Sequence, residues 1–396
     1  MVLWVLVSTG LLVLNQYKSL STVVLYGIVP GALLTVLLVE ERIRIDNRAW
    51  LYLLAFTGWC TLSLFYTVNF EMTANYITVL IGNLVIWYTV SRIVKNSQND
   101  QILLLLFIGP LLFHAIQGLL TPIEFIEGAG YGRATGLFSN PNGLGFTMWY
   151  GATAVALWLQ QIGKRRIWQL IGIALIGLFL FVLLQSGSRK NALAFGFFWF
   201  VLIYYLARSK YRSSLIGLGV IILISYFTID IGQLEQTAVF SRTSVEHLGR
   251  SGENRFILIQ EGLEMFFTYP ILGVGLGSFT SYSSTGLMAH NDFIEVLAST
   301  GIIGFMLYSP IYWFFYKQNK ALLKNEETYR WGAWSQAFLA GFLVLGLGRP
   351  TFLDPVAMLV LAFFYSLSWN QTCQLKAHYL YLKKRDNAYL PHHKYA

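Results

Sequence analysis

The amino-acid sequence predicts an all-α polytopic membrane protein with about twelve transmembrane helices, and three observations lead there. Of its 396 residues 56% are hydrophobic and only 12% are charged. An ordinary soluble domain carries about 25% charged residues, so this chain has too little polar surface to face water all round. The apolar residues fall in blocks of roughly 17–22, the helix length that crosses about 30 Å of hydrocarbon. Backbone in lipid must satisfy its own hydrogen bonds, which makes helix the default for such blocks.

In chain order the spans are expected near 2–14, 20–39, 49–66, 73–94, 101–120, 142–160, 167–185, 191–207, 214–230, 291–316, 331–347 and 355–370. The first, MVLWVLVSTGLLVL, lacks a basic flank and a small-residue cleavage pattern, so it reads as a retained span rather than a removed signal peptide. Cys60 sits inside a span and Cys373 just beyond the last, which leaves no disulfide framework and no metal-ligand spacing. There is no transporter-type internal repeat. The expected organisation is one integral membrane domain over 1–396, an external, partly helical loop over 231–290 between spans nine and ten, and a basic cytoplasmic tail over 371–396.

Lys and Arg set the orientation, because cytoplasmic loops carry the excess of both. Twenty of the 28 fall after even-numbered spans and in the tail, and eight fall on the other side. Both termini are therefore expected in the cytoplasm and the 231–290 loop outside. The formal charge of +9 is mostly this inner-face bias and does not argue for nucleic acid. The eight outer cations are Lys18, Arg133, Arg189, Lys190, Arg242, Arg250, Arg255 and Arg349. Positive charge there runs against the insertion rule, so a cationic pocket for an anionic headgroup is the expected use. A lipid-linked diphosphate fits, since guanidinium groups pair phosphate oxygens bidentately.

Four stretches carry these residues. Gly132–Phe146, GRATGLFSNPNGLGF, is a turn leading into span six, with Pro141 placed to begin a helix. Arg133, Asn140 and Asn142 face either a sugar or phosphate there, or only a loop connection in which Glu124 and Glu127 neutralise the arginine. At the end of span seven, SGSRK puts Arg189 and Lys190 beside a Gly-Ser turn, for phosphate or for snorkelling to headgroups. Within the long loop, Phe256, Ile259, Leu263 and Phe266 are spaced as one face of an amphipathic interfacial helix that Arg255 opens. The Gly-x-Gly-x-Gly of PILGVGLGSF has no preceding strand and reads as a tight backbone passage rather than a nucleotide site. His290, followed by Asn291, Asp292 and Glu295, is a candidate base for an acceptor hydroxyl, or else a capping residue. Asp292 and Glu295 share a helix face and can orient it or pair an arginine. Arg349 and Asp354 either pair with each other or Arg349 completes the pocket, and His114 in span five reads as structural.

RATGLFSNPNG at Arg133–Gly143, SGSR at Ser186–Arg189, ENRF with YPILGVGLGSF, and AHNDFIEVLASTGIIG at Ala289–Gly304 resemble, in this order, the O-antigen ligase and polymerase superfamily. The resemblance covers roughly residues 120–310. It implies a GT-C-like, metal-independent inverting glycosyltransferase of the inner membrane that uses no cofactor. Its donor would be an undecaprenyl-diphosphate-linked glycan, and its acceptor a glycan, lipid, protein or wall component met on the outer face of the bilayer. A chain-length regulator is a further candidate partner. By the same resemblance Arg189 and Arg255 grip the diphosphate and His290 is the base. Arg133, Asn140, Asn142, Lys190, Asn291, Asp292, Glu295 and Arg349 are the expected substrate-binding set. Ligase and polymerase both remain open, for lipopolysaccharide or exopolysaccharide. A transporter or flippase for the same lipid-linked glycan is the alternative, and it requires charge along the buried helices rather than at one face.

Overall fold

The computed structural model describes residues 1–14, 18–39, 48–97, 99–121, 124–125, 132–138, 140–162, 165–207 and 245–389. The ninth predicted span, residues 231–244 of the external loop with Arg242, and His392 and His393 lie outside these residues.

The described chain is a bundle of helices. They are α1 Val2–Leu12, α2 Lys18–Val23, α3 Val29–Val39, α4 Arg48–Leu62, α5 Phe70–Asn96, α6 Asp100–Leu120, α7 Pro141–Gln161, α8 Arg166–Gln185 and α9 Arg189–Ala207. After the undescribed stretch come α10 Val245–Thr268, α11 Phe279–Tyr282, α12 Asp292–Tyr308, α13 Pro310–Leu322, α14 Tyr329–Gly346 and α15 Pro355–Tyr389. Within the described residues, every predicted span coincides with one or more of these helices. Seven stretches are long and apolar enough to cross a membrane: Leu20–Val39, Phe70–Asn96, Asp100–Leu120, Arg166–Gln185, Arg189–Ala207, Asp292–Leu322 and Pro355–Leu380. The protein is thus an all-α, multi-pass membrane protein, with seven rather than twelve spans by that standard among the described residues.

For two of the predicted spans the shortfall has a physical reason. Every residue of α7 from Leu144 to Trp158 is buried, so protein and not lipid surrounds this helix and it need not be strongly apolar. The same holds for much of α14, which packs along α9. Trp149 of α7 lies 5.4 Å from the Phe338 ring of α14, and Trp334 stacks on Phe338 at the same separation. Two details add to the expected pattern. A two-residue antiparallel ladder, β1 Glu124–Phe125 with β2 Gly132–Arg133, interrupts the all-helical pattern. The region read as a basic tail from 371 continues α15 as helix to Tyr389.

The segment between α10 and α12 is organised by a break in α12. Gly301 has φ 65° and ψ −170°, so the helical ladder is interrupted there. The Pro270–Phe279 passage docks on the break: Val274 N–H donates to Ala298 O at 2.9 Å, Gly275 N–H to Ser299 O at 3.0 Å, and Ile302 N–H to Pro270 O at 2.8 Å. From the other side, Thr73 Oγ1 donates to Leu276 O and Thr67 Oγ1 bonds Ser278 Oγ at 2.7 Å. The glycines serve this close approach and φ values L-residues rarely adopt. A Cβ on Gly273, at φ 72°, would stand 2.5 Å from Ser299 C and Thr300 N. Helix α10 packs Leu258, Gly262 and Met265 against α12 and Phe279, while Phe256 and Phe267 stay exposed. The face that meets the protein is thus Leu258–Gly262–Met265, a different one from the Phe256–Ile259–Leu263–Phe266 stripe expected to meet the membrane interface.

Gly273→Ala is expected to cost about 2 kcal/mol or more through strain and backbone collision, read as a lower thermal midpoint of the detergent-solubilised protein. Gly82→Ala, where nothing lies within 4 Å of the added Cβ, is expected to leave the midpoint unchanged or slightly raised.

Candidate functional site

Four separate segments converge on one cavity of about 940 Å³, at the upper end of the roughly 300–1,000 Å³ span of ligand sites. Asn140, Asn142 and Phe146 come from the start of α7, Lys190 from the start of α9, Arg255 and His290 from the stretch running from α10 to the start of α12, and Arg349 and Asp354 from the α14–α15 connection. Each is delivered by local structure that the sequence dictates.

Asn140 caps α7, its Oδ1 accepting Asn142 N–H at 2.8 Å, with Pro141 in the first turn. Asn142 Oδ1 accepts Ser188 Oγ at 2.9 Å, and its carbonyl accepts Asn191 Nδ2 at 3.1 Å. The Ser186-Gly187-Ser188 turn, with Gly187 at φ 62°, is thereby fastened to the α7 start. Lys190 Nζ donates to Gly348 O at 2.9 Å and lies 4.7 Å from the centre of the Phe146 ring. The Arg349 guanidinium stands 4.7 Å from the same ring and pairs with Asp354 at 2.5 Å. Phe146 thus holds two cations together, its π electrons offsetting some of their repulsion. Three basic side chains and one carboxylate stand in the lining, so basic groups outnumber acidic ones.

His290 has φ 51°, the only positive φ among described non-glycine residues. This conformation costs about 1 kcal/mol or more and persists only where neighbours impose it. They do so here: Ala289 N–H donates to Glu295 Oε2 at 2.8 Å, and Asn291 caps α12 by accepting Phe293 and Ile294 N–H. Upstream, Glu261 of α10 accepts Ser283 Oγ at 2.8 Å and Ser284 N–H at 3.1 Å, which ties down the turn leading to His290. The half-buried imidazole is held below the usual histidine range, first by burial and then by the charges of Lys190 and Arg255.

Six of the expected residues, His290, Arg255, Lys190, Arg349, Asn140 and Asn142, therefore line one space. The other five do not. Asp292 is fully buried: Oδ1 accepts Thr351 N–H at 2.5 Å and Phe352 N–H at 3.2 Å, and Oδ2 accepts the hydroxyls of Tyr308 and Tyr312 at 2.7 and 3.2 Å. It joins the His290 segment to the loop carrying Arg349. Glu295 is spent on Ala289 N–H and Ser299 Oγ, and Asn291 on the cap. Arg133 Nε donates to Ser186 O at 2.8 Å and its guanidinium reaches Asn142 Oδ1 at 3.4 Å, so it braces the two turns from behind. Arg189, half-buried, is not in the lining; its neighbour Lys190 is, because consecutive helical residues point about 100° apart. Sequence reasoning passed over Phe146 and Tyr76. Phe146 lay within the Gly132–Phe146 stretch, whereas Tyr76, inside an apolar helix, carries no signal.

Asp292→Ala strips one acceptor group from four buried or part-buried donors and is expected to lower stability by at least about 3 kcal/mol. The loss is measurable as reduced folded yield and thermal midpoint, with Asp292→Asn less affected because one oxygen is kept.

Residues 172–309 match the family model described as O-Antigen ligase. The matched stretch begins inside α8 and ends just after α12, so it contains Lys190, Arg255 and His290, while the α7 start and the Arg349 loop lie outside it. No curated protein matches the chain. Through that stretch this multi-pass membrane protein is similar to the O-antigen ligase/polymerase superfamily.

Proposed function

We propose that the protein is a glycosyltransferase that moves a glycan from an undecaprenyl-diphosphate carrier onto an acceptor hydroxyl at the outer face of the cytoplasmic membrane, as a ligase or polymerase of surface polysaccharide. The observation that carries this is the meeting of Lys190, Arg255, Arg349 and His290 in one cavity within a chain that matches the O-antigen ligase family. In this reading both termini are cytoplasmic and the cavity opens outside. The acceptor is a glycan, lipid, protein or wall hydroxyl.

The chemistry follows from the residues. A neutral His290 takes the proton of the acceptor hydroxyl, and the resulting oxygen attacks the anomeric carbon from the side opposite the diphosphate. The carbon–oxygen bond to the diphosphate breaks with inversion, and the leaving group takes the electron pair. Arg255, Lys190 and Arg349 stabilise the charge that develops there, which is worth most in a site shielded from water. Arg349 exchanges Asp354 for phosphate oxygen when donor binds. Asn140 and Asn142 face the sugar. Arg189 adds to the positive field from one residue away, and Arg133, Asn291, Asp292 and Glu295 hold the others in place. No step calls on a metal or a cofactor.

Reconstituted with a polyprenyl-diphosphate glycan, Arg255→Ala and Lys190→Ala are expected to abolish transfer while the protein still folds, and Arg189→Ala to weaken it. Near-normal transfer in Arg255→Ala and Lys190→Ala would remove the diphosphate grip. His290→Ala is expected to lose at least ~10²-fold in kcat, the low end for a general base.

Because burial and nearby cations disfavour protonation of His290, its base form persists below the ordinary value of about 6.5. It is lost only as pH falls through the depressed value. The acid limb of kcat/KM is therefore expected below pH ~6.5, and Arg255→Gln should move the limb of its residual activity upward. An acid limb well above 6.5 in the unaltered protein would exclude His290 as the base.

A further inference from the structure

A second cationic cavity lies at the opposite end of the bundle. Asp354, in the first cavity, immediately precedes α15, and Lys376 lies 21 residues beyond Pro355 on that helix, about 32 Å along its axis. That is the thickness of the hydrocarbon layer. The second cavity, about 310 Å³, is lined by Arg48 at the start of α4, Lys317 and Gln318 of α13, and Trp369, Thr372 and Lys376 of α15, among others. Its lining contains three cations from three helices and no carboxylate.

The cavity is graded from wet to dry. Arg48, Lys317 and Lys376 are exposed, whereas Gln318, Tyr365 and Thr372 beneath them are buried. Lys376 Nζ lies 5.6 Å from the Trp369 ring and Lys317 Nζ 5.7 Å from the Trp313 ring, the aromatic and basic pairing of a membrane–water boundary. Gln318 Nε2 donates to Tyr365 O at 2.9 Å, and its Oε1 is buried with no hydrogen-bond partner among the described residues. The site therefore offers positive charge for an anion and one dry acceptor for a hydroxyl, over an apolar floor.

We propose that this cavity binds the headgroup of an anionic phospholipid, a phosphate diester bearing a free hydroxyl, in the leaflet opposite the candidate active site. The phosphate sits among Arg48, Lys317 and Lys376, and the headgroup hydroxyl reaches Gln318. Basic pockets between membrane helices on the cytoplasmic side hold anionic headgroups by this combination. The assignment is independent of the reaction proposed for the outer cavity.

The test uses the full-length purified protein in detergent, titrated with phosphatidylglycerol, phosphatidylmethanol, phosphatidylcholine or inorganic phosphate, with retained lipid read by native mass spectrometry and stability by thermal midpoint. Phosphatidylglycerol is expected to bind and raise the midpoint, phosphatidylmethanol to bind more weakly for want of a hydroxyl, and phosphatidylcholine and inorganic phosphate to do neither. The double variant Lys317→Gln with Lys376→Gln is expected to weaken phosphatidylglycerol binding roughly 30-fold. Lys320→Gln with Lys324→Gln, also on this face but outside the lining, serves as the control and is expected to bind as the unaltered protein does. Equal retention of phosphatidylcholine, or an equal loss in the control pair, would overturn the site. Stabilisation by inorganic phosphate equal to that by lipid would make it an anion site and overturn the lipid assignment.

Discussion

Asp292 takes two backbone N–H groups from the Arg349 loop on one oxygen and two tyrosine hydroxyls on the other. The candidate site depends on this junction. The carboxylate stands two residues after His290, and its partners begin two residues after Arg349. A candidate base and a candidate phosphate ligand, some sixty positions apart in the chain, thus share one rigid support. Asn83 Nδ2 donates to Phe352 O at 2.8 Å and fixes the same loop from α5. A buried carboxyl group of this kind is tolerable because both of its oxygens are hydrogen-bonded.

The second constraint is that backbone away from water must find partners in the protein. A break in a helix at membrane depth would expose carbonyls, yet α12 breaks at Gly301 and those of Ala298 and Ser299 are taken by Val274 and Gly275 of the incoming passage. Non-helical backbone is tolerated at such depth only where protein surrounds it. The buried Val274–Ser278 passage meets that condition between α12 and the α4–α5 connection. The passage closes the loop between α10 and α12, and so fixes the segment that carries Arg255 relative to the one that carries His290.

Electrostatics divides the protein into two unlike ends. At the candidate active-site cavity, Lys190 and Arg349 are crowded over a single aromatic ring, and one carboxylate pairs Arg349. Such crowding is costly without an anion and favourable with one, so it suits a diphosphate that arrives and leaves. At the other end the cations sit apart on three helices over aromatic rings, an arrangement suited to a lipid that stays.

Much of this was legible in the sequence for definite reasons. Blocks of apolar residues announce membrane helices because lipid admits little else, and three of the eight basic residues expected on one side, Lys190, Arg255 and Arg349, line the cavity. The glycine spacing in Pro270–Phe279 announced close backbone approach. What the sequence by itself determined was the class of fold, the residue types of the site and the four stretches that hold them. The tertiary structure alone decided which of those residues face the cavity. Helical phase turned Lys190 inward in place of Arg189. Hydrogen-bond demand from distant segments drew Asp292, Glu295 and Arg133 into the scaffold. Encirclement by other helices, not apolarity, put α7 at the centre. Each of these outcomes depends on partners far away in the chain, and a side chain's own sequence neighbourhood holds no record of them.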